Sequence, residues 1–146
     1  MKRTLLKVLV VIVCGIIAFY KLYFSDRVTV RKIINEGKIA VETENVTACM
    51  SYISEDYSDD YENKKEGLEK ATRNFFSDVE NLKIKILKKS KKYNKTFLPD
   101  KCEVSLWLIA EASNKELGTF AGQQSVILSF KKQSDKKWYV VKLKIK

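Results

Sequence analysis

Hydrophobic residues recur at two different spacings along this chain, and the spacing changes near Asn81. From Asp26 to Val79 they fall three or four positions apart, which predicts amphipathic helices. From Leu82 onward they alternate with polar residues, which predicts strands with one apolar face. The sequence therefore predicts an α+β domain, with helices packed on the apolar face of an antiparallel sheet.

Three helices are predicted before the change of spacing. The first begins at Asp26, the second is short and capped by Asn45, and the third begins at Asn63, which forms a capping-box-like start with Glu66. The apolar stripe of the first helix contains Val30, Ile33, Ile34, Gly37 and Val41.

Four strands of an antiparallel sheet are predicted after it. A basic loop from Lys88 to Lys101 separates the first two, and Ser134–Lys137 joins the last two as a tight hairpin. The strands lie around residues 82–86, 104–110, 125–130 and 139–145.

The N-terminal segment is the most apolar part of the sequence. No charged residue occurs from Val8 to Tyr20, and Lys7 and Lys21 flank the run. From Leu5 to Phe24 a helix would be about 30 Å long, enough to cross a bilayer core. The segment is therefore predicted to be a transmembrane helix.

Two other interpretations of this segment are weaker. Lys2 and Arg3 also suit a cleaved signal peptide, and Cys14 could carry a lipid, but both need small residues before the processing site that the sequence lacks. We therefore expect residues 1–25 to form an uncleaved single-pass membrane anchor. Residues 26–146 would form one domain outside the cytoplasm, in the periplasm or the extracellular space.

Composition excludes several kinds of chemistry. The 146 residues include no histidine, so there is no Ser-His-Asp or Cys-His catalysis and no histidine metal site. No metal-binding, phosphate-loop or dinucleotide motif is present, and we expect no cofactor. Cys49 and Cys102 either form a disulfide or serve as small apolar side chains, and the sequence leaves both possibilities open.

One stretch of the sequence and its last hairpin are similar to those of a known superfamily. The acidic and aromatic stretch Ile53–Tyr61 after the second helix, with Phe130–Lys132 and Lys137–Val140 in the last hairpin, resembles bacterial members of the nuclear transport factor 2-like superfamily. Its members include ketosteroid isomerase and scytalone dehydratase. The resemblance implies a cystatin-like cone, in which three helices pack on a curved four-stranded sheet, with a pocket between them.

The candidate pocket residues follow from this resemblance. They are Tyr52, Asp56, Tyr57, Tyr61 and Phe76. The favoured function is a non-enzymatic binding module that holds a protein partner or a small apolar ligand near the membrane. The alternative is a small cofactor-free lyase or isomerase that uses an Asp/Tyr pair. Acids and tyrosines between two helices also commonly close a turn.

One face of the predicted sheet has an apolar centre with a basic border. Trp107, Ile109 and Ile127 lie on the face opposite Val104 and Leu106. We expect this face to be a homodimer surface, unless helices cover it instead.

A run of lysines precedes the second strand. It consists of Lys88, Lys89, Lys91, Lys92 and Lys95. Binding to anionic lipid headgroups is the functional interpretation, and a solvated loop that protects an edge strand is the structural one. Nucleic-acid binding is not expected, because this run contains no arginine, glycine-rich loop or repeated aromatic pattern.

Overall fold

Helices precede strands in the folded chain, as predicted. The structure is a computed structural model, and it describes residues 25–93 and 100–146 together with Cys14 and Ala18. The elements are α1 (residues 25–42), α2 (Val46–Ser51), α3 (Lys65–Asp78), β1 (Glu80–Tyr93), β2 (Lys101–Asn114), β3 (Gly118–Lys132) and β4 (Trp138–Ile145).

The starts of the two later helices differ in how they are capped. Asn45 caps α2 as predicted, because its Oδ1 accepts the backbone N–H of Ala48 at 3.0 Å. The capping box predicted for α3 is wrong. The N-cap is Lys64, which makes no side-chain capping bond, and the amide nitrogen of Asn63 instead donates to Oδ2 of Asp59 at 3.0 Å.

The four strands form one antiparallel sheet in the order β1-β2-β3-β4. Strand β1 extends to Tyr93, so much of the predicted basic loop is strand instead. The reason is its ladder with β2, in which Lys89 pairs with Leu106 and Tyr93 pairs with Cys102. Backbone pairing thus overrides the strand-poor composition of the lysine run.

The core lies between α1 and the inner face of the sheet. Val30 of α1 is fully buried, and so are Val104 and Phe130 of the sheet. Trp138, at the start of β4, packs in the same cluster. A smaller cluster under the end of α3 contains Val79, Leu82 and Ala112, with Phe76 packed against it.

The segment after α2 covers the free edge of β4. The backbone N–H of Val140 donates to the carbonyl of Tyr52 at 2.8 Å, and that of Ser54 donates to the carbonyl of Val140 at 2.9 Å. The backbone N–H of Ser58 then donates to the carbonyl of Val141 at 3.1 Å. These bonds satisfy the edge strand and hold the acidic and aromatic stretch against the sheet.

The predicted membrane anchor is corrected by the structure. Among the described residues, no helix has both the length and the apolar character needed to cross a bilayer. Helix α1 alternates a buried stripe with charged positions such as Arg31, Lys32 and Glu36, and residues 25–93 and 100–146 contain three helices. The predicted single-pass membrane localisation is therefore wrong on this finding. Most of residues 1–25 lie outside the described part of the chain.

Candidate functional site

A cavity of about 260 Å³ lies between the helices and the inner face of the sheet. Side chains from α1, α2, α3 and all four strands line it, and most of them are aliphatic. Among the described residues that line it there is no carboxylate. The lining includes Ile33, Ile34, Gly37, Val41, Cys49, Met50, Leu68, Ile86, Leu106, Leu108, Leu128, Phe130 and Leu143. An enclosed apolar wall of this kind favours an apolar occupant.

Tyr52 forms part of the wall between this cavity and a polar groove outside it. Its side chain lines both spaces, whereas Glu36 lines only the outer groove. The Tyr52 hydroxyl donates a hydrogen bond to Oε2 of Glu36. That hydrogen bond, with burial and the nearby negative charge, raises the pKa of Tyr52. The phenol therefore stays protonated at neutral pH.

Glu42 joins α1 to the sheet at the end of the helix. Its Oε1 accepts the backbone N–H of Ile84 at 2.7 Å, and Lys38 Nζ lies 2.7 Å from its Oε2. Burial alone would raise the pKa of Glu42. The hydrogen bonds from Lys38 and Ile84 and the positive charges of Lys38 and Lys83 outweigh burial, so the net pKa is lowered.

Of the five predicted pocket residues, only Tyr52 lines the cavity. Asp56 is exposed, and Tyr61 is 85% exposed. Phe76 packs against the small cluster under α3. These residues therefore do not converge on one site, because the stretch that contains most of them follows the edge of β4.

Tyr57 is buried in the main core cluster but lies outside the lining of the cavity. Its hydroxyl is buried without a hydrogen-bond partner. Burial, together with the negative charges of Asp59 and Asp60, raises the pKa of Tyr57 to about 12. A buried phenol of this kind is a packing residue with an unsatisfied polar atom.

The acids next to Tyr57 have structural partners. Asp59 Oδ1 accepts the backbone N–H groups of Tyr61 and Asn63, each at 2.9 Å, which closes the turn before α3. Asp60 Oδ1 lies 2.9 Å from Lys142 Nζ. The turn-closing interpretation therefore accounts for Asp59, and an ion pair with β4 accounts for Asp60.

The predicted dimer residues share the outer face of the sheet. Trp107 is 49% exposed, and Ile109 and Ile127 are half-buried. In the ladder between β2 and β3, Ile127 lies opposite Ser105, which precedes Trp107 on the same face. No helix of the described residues covers these side chains enough to bury them.

The predicted lysine patch is divided between two faces. Lys88 and Lys92 lie on the outer face, opposite Trp107 and Glu103, whereas Lys89 and Lys91 lie on the inner face. Lys95 lies outside the described residues. As a lipid-headgroup contact the patch stays a prediction, and its described members do not form one surface.

Cys49 and Cys102 are both free thiols. Cys49 lines the cavity, and Cys102 is buried in the core, so the interpretation as small apolar residues describes both of them. In the described ranges no group of acids and cysteines is placed to hold a metal ion.

Some features of the site escaped the sequence reasoning. Gly37 was placed on the apolar stripe of α1, and its position on that stripe was the available signal for a cavity beside it. Nothing lies within 4 Å of the point that a Cβ would occupy there. Glu36 and Glu42 carry no motif, and only the folded chain brings them to Tyr52 and Ile84.

No protein-family model matches this chain, and no curated protein is significantly similar to it in sequence. Solved structures are similar in fold. A candidate scytalone dehydratase from Novosphingobium aromaticivorans superimposes with a TM-score of 0.75 at 7% identity, over 87% of this chain and 87% of that chain. A candidate aromatic ring hydroxylase from the same organism gives 0.71 at 13% identity, over 84% and 88%.

A third similar structure is described as a member of the superfamily that the sequence resembles. A nuclear transport factor 2-like superfamily protein from Salmonella enterica gives a TM-score of 0.70 at 8% identity, over 83% of this chain and 88% of that chain. Identities this low establish the fold alone. They confirm the resemblance at that level, and the chain has the nuclear transport factor 2-like cone fold.

Proposed function

We propose that this domain binds a small apolar molecule in the cone cavity without transforming it. The observation that carries the proposal is the cavity wall, to which all seven elements contribute and which is mostly aliphatic, with Lys38 and Thr72 as its polar members. A dry cavity of about 150 Å³ can hold benzene. The larger volume here, about 260 Å³, suits a hydrophobe of two or three rings or a medium-length acyl chain.

The positions of the acids support binding rather than catalysis. A general base must reach the bound molecule within hydrogen-bond distance. Asp56 is exposed, Asp59 closes a turn and Asp60 pairs with Lys142, so the Asp/Tyr pair expected from the sequence has no access to the cavity.

A second candidate function, proton transfer in an isomerase- or lyase-type reaction, is supported by one contact. The hydrogen bond between Tyr52 and Glu36 places a carboxylate in the outer groove against a phenol that lines the cavity. However, the phenol proton is already donated to Glu36, and the raised pKa of Tyr52 moves it away from neutral pH. Binding without turnover is therefore the stronger proposal.

Gly37 offers a direct way to fill the cavity. It lies on α1 and lines the cavity, and a new Cβ there meets no neighbouring atom within 4 Å. Gly37→Phe would place a ring in the space that the ligand needs. Gly37→Ala is the matched control, because it makes the same helix-favouring change and adds only a methyl group.

The experiment uses the neutral fluorophore N-phenyl-1-naphthylamine, whose emission rises in an apolar site. We expect saturable binding to the unmodified protein and to Gly37→Ala, and a loss of about tenfold or more in affinity for Gly37→Phe. Both variants should unfold at or above the unmodified protein's urea midpoint. Absence of saturable binding to the unmodified protein, or equal binding to Gly37→Phe, would refute the proposal.

A further inference from the structure

Basic side chains gather where α1 meets β1, beside the cavity. Lys91 Nζ lies 3.3 Å from the backbone carbonyl of Arg27, to which it donates. The charge of Arg31 acts on both Lys89 and Lys91, so these groups are close in space. The basic cluster is defined here as Arg27, Arg31, Lys89 and Lys91.

A bulge in β1 sends its two lysines inward. Ile84 and Ile86 face the helices, and the ladder register then shifts by one residue between Ile86 and Lys88. This shift exchanges the faces of the residues that follow. Lys89 therefore lies opposite Leu106, and Lys91 lies opposite Val104, on the face that carries the core.

The inward lysines are half-buried without a carboxylate partner. Within the described residues, Arg31, Lys89 and Lys91 form no ion pair with an acid. Burial lowers the pKa of Lys89, and the charges of Lys91 and Arg31 lower it further. Partly desolvated charges in proteins normally have a counter-charge. An anion that binds here would supply one.

The basic cluster borders the cavity on both of its elements. On β2, Leu106 lines the cavity directly opposite Lys89. On α1, Ile34 lines the cavity one helical turn after Arg31, on a neighbouring part of the helix surface. A molecule whose apolar body occupies the cavity can therefore extend an acidic group to the cluster.

We propose that the ligand of the cavity is an organic anion, with an apolar body and a carboxylate or sulfonate group held by Arg31, Lys89 and Lys91. This inference rests on the proposed function and adds the charge of the ligand to it. Charge-assisted hydrogen bonds from these three side chains would orient the molecule with its acidic end toward β1.

A matched pair of probes tests the inference. The anion 8-anilino-1-naphthalenesulfonate has the same ring skeleton as neutral N-phenyl-1-naphthylamine and adds one sulfonate. We expect the anion to bind about tenfold more tightly at low salt, and its advantage to shrink as salt screens the cluster.

Two substitutions separate charge from shape. Lys89→Gln and Arg31→Gln should each weaken binding of the sulfonate about fivefold or more and leave the neutral probe within twofold. Lys85→Gln is the matched control, because Lys85 lies on the same strand but on the outer face. It should leave both probes unchanged, and urea unfolding of each variant verifies the fold.

The outcomes distinguish the two proposals. If neither probe binds, the proposed function fails and this inference fails with it. If the neutral probe binds but the anion has no advantage, or if Lys85→Gln acts as strongly as Lys89→Gln, the cavity proposal stands and the anion site is refuted.

Discussion

Asp26 accepts the indole N–H of Trp138 at 3.0 Å, although 112 positions separate the two residues in the chain. The same Oδ1 atom lies 2.8 Å from Lys132 Nζ. Asp26 thus ties the start of α1 to the last hairpin of the sheet. This contact holds the helix against the hairpin beside the outer groove, which all three residues line.

The first prediction concerns the contacts that Asp26 makes with Trp138 and Lys132. Asp26→Asn keeps the shape of the side chain but removes the charge that Lys132 contacts. Because both partners are largely buried, we expect the free energy of unfolding to fall by about 1–3 kcal/mol. Urea denaturation measures this free energy of unfolding. Glu116→Gln, an exposed acid in the β2–β3 turn, should change stability by less than about 0.5 kcal/mol, and an equal loss in both variants would contradict the assignment.

Tyr57→Phe tests the buried hydroxyl that lacks a partner. The substitution keeps the ring in the core and removes a polar atom that gains nothing from burial. We expect the free energy of unfolding to stay equal or to rise by up to about 1 kcal/mol. Chemical denaturation at pH 7 measures the change. A loss above about 1 kcal/mol would show that the hydroxyl has a partner, such as an internal water.

The same residue predicts a dependence on alkaline pH. The folded-state pKa of about 12 lies above the ordinary value of 10.0 for tyrosine, so the folded chain holds the phenol proton more strongly than the unfolded chain does. This contribution is fully present below about pH 10 and is lost as the pH rises toward 12. The unmodified protein should therefore lose roughly 2–3 kcal/mol relative to Tyr57→Phe across that interval. Parallel unfolding curves for the two proteins would contradict it.

The pattern of the sequence was sufficient for the architecture because each element carries its own periodicity. The stripe of α1 and the alternation of β2 identified their buried faces, and Asn45 was recognised as a cap. The cavity was harder to predict. Its polar neighbours depend on pairings between distant residues, as when Glu42 of α1 accepts the backbone N–H of Ile84. The β1 bulge shifts the pairing register of β1 against β2, and the alternation of apolar and polar residues does not show where that shift occurs.

The anchor prediction used the hydropathy of a window of residues rather than pairings between residues. The apolar run that ends near Phe24 is followed directly by the amphipathic stripe of α1. Core packing accounts for Val30, Ile33 and Ile34 of that stripe, as predicted. The residues on which the anchor was predicted lie outside the described part of the chain, apart from Cys14 and Ala18.

Glu42 should make stability depend on acidic pH. Its folded-state pKa lies below the ordinary value of 4.5 for glutamate, so its contribution is present above about pH 4.5 and is lost as the pH falls through the folded value. Glu42→Gln should lower the free energy of unfolding by about 1–2 kcal/mol at pH 7, because the Ile84 N–H loses a charged acceptor. The urea midpoints of the two proteins should approach each other as the pH falls below about 4.5. A constant difference from pH 7 to pH 3 would mean that the charge of Glu42 has no role.

The outer face of the sheet leads to a prediction about association. We propose that Trp107, Ile109 and Ile127 form the centre of a homodimer contact, since a large exposed aromatic flanked by aliphatic side chains is typical of such centres. Lysines border this centre on β1 and β4, where Lys85 pairs with Ile109 and Lys144 pairs with Ile127. Two such faces repel each other at low salt, so dimerisation should strengthen as salt screens the lysines.

Sedimentation velocity at low and high salt measures this association. Trp107→Lys is expected to remain a monomer. Lys115→Gln, in the distant β2–β3 turn, is expected to behave as the unmodified protein. A monomer at high protein concentration in both salts would remove the proposed contact, and association that weakens with salt would indicate that an acidic surface is the natural partner of this face.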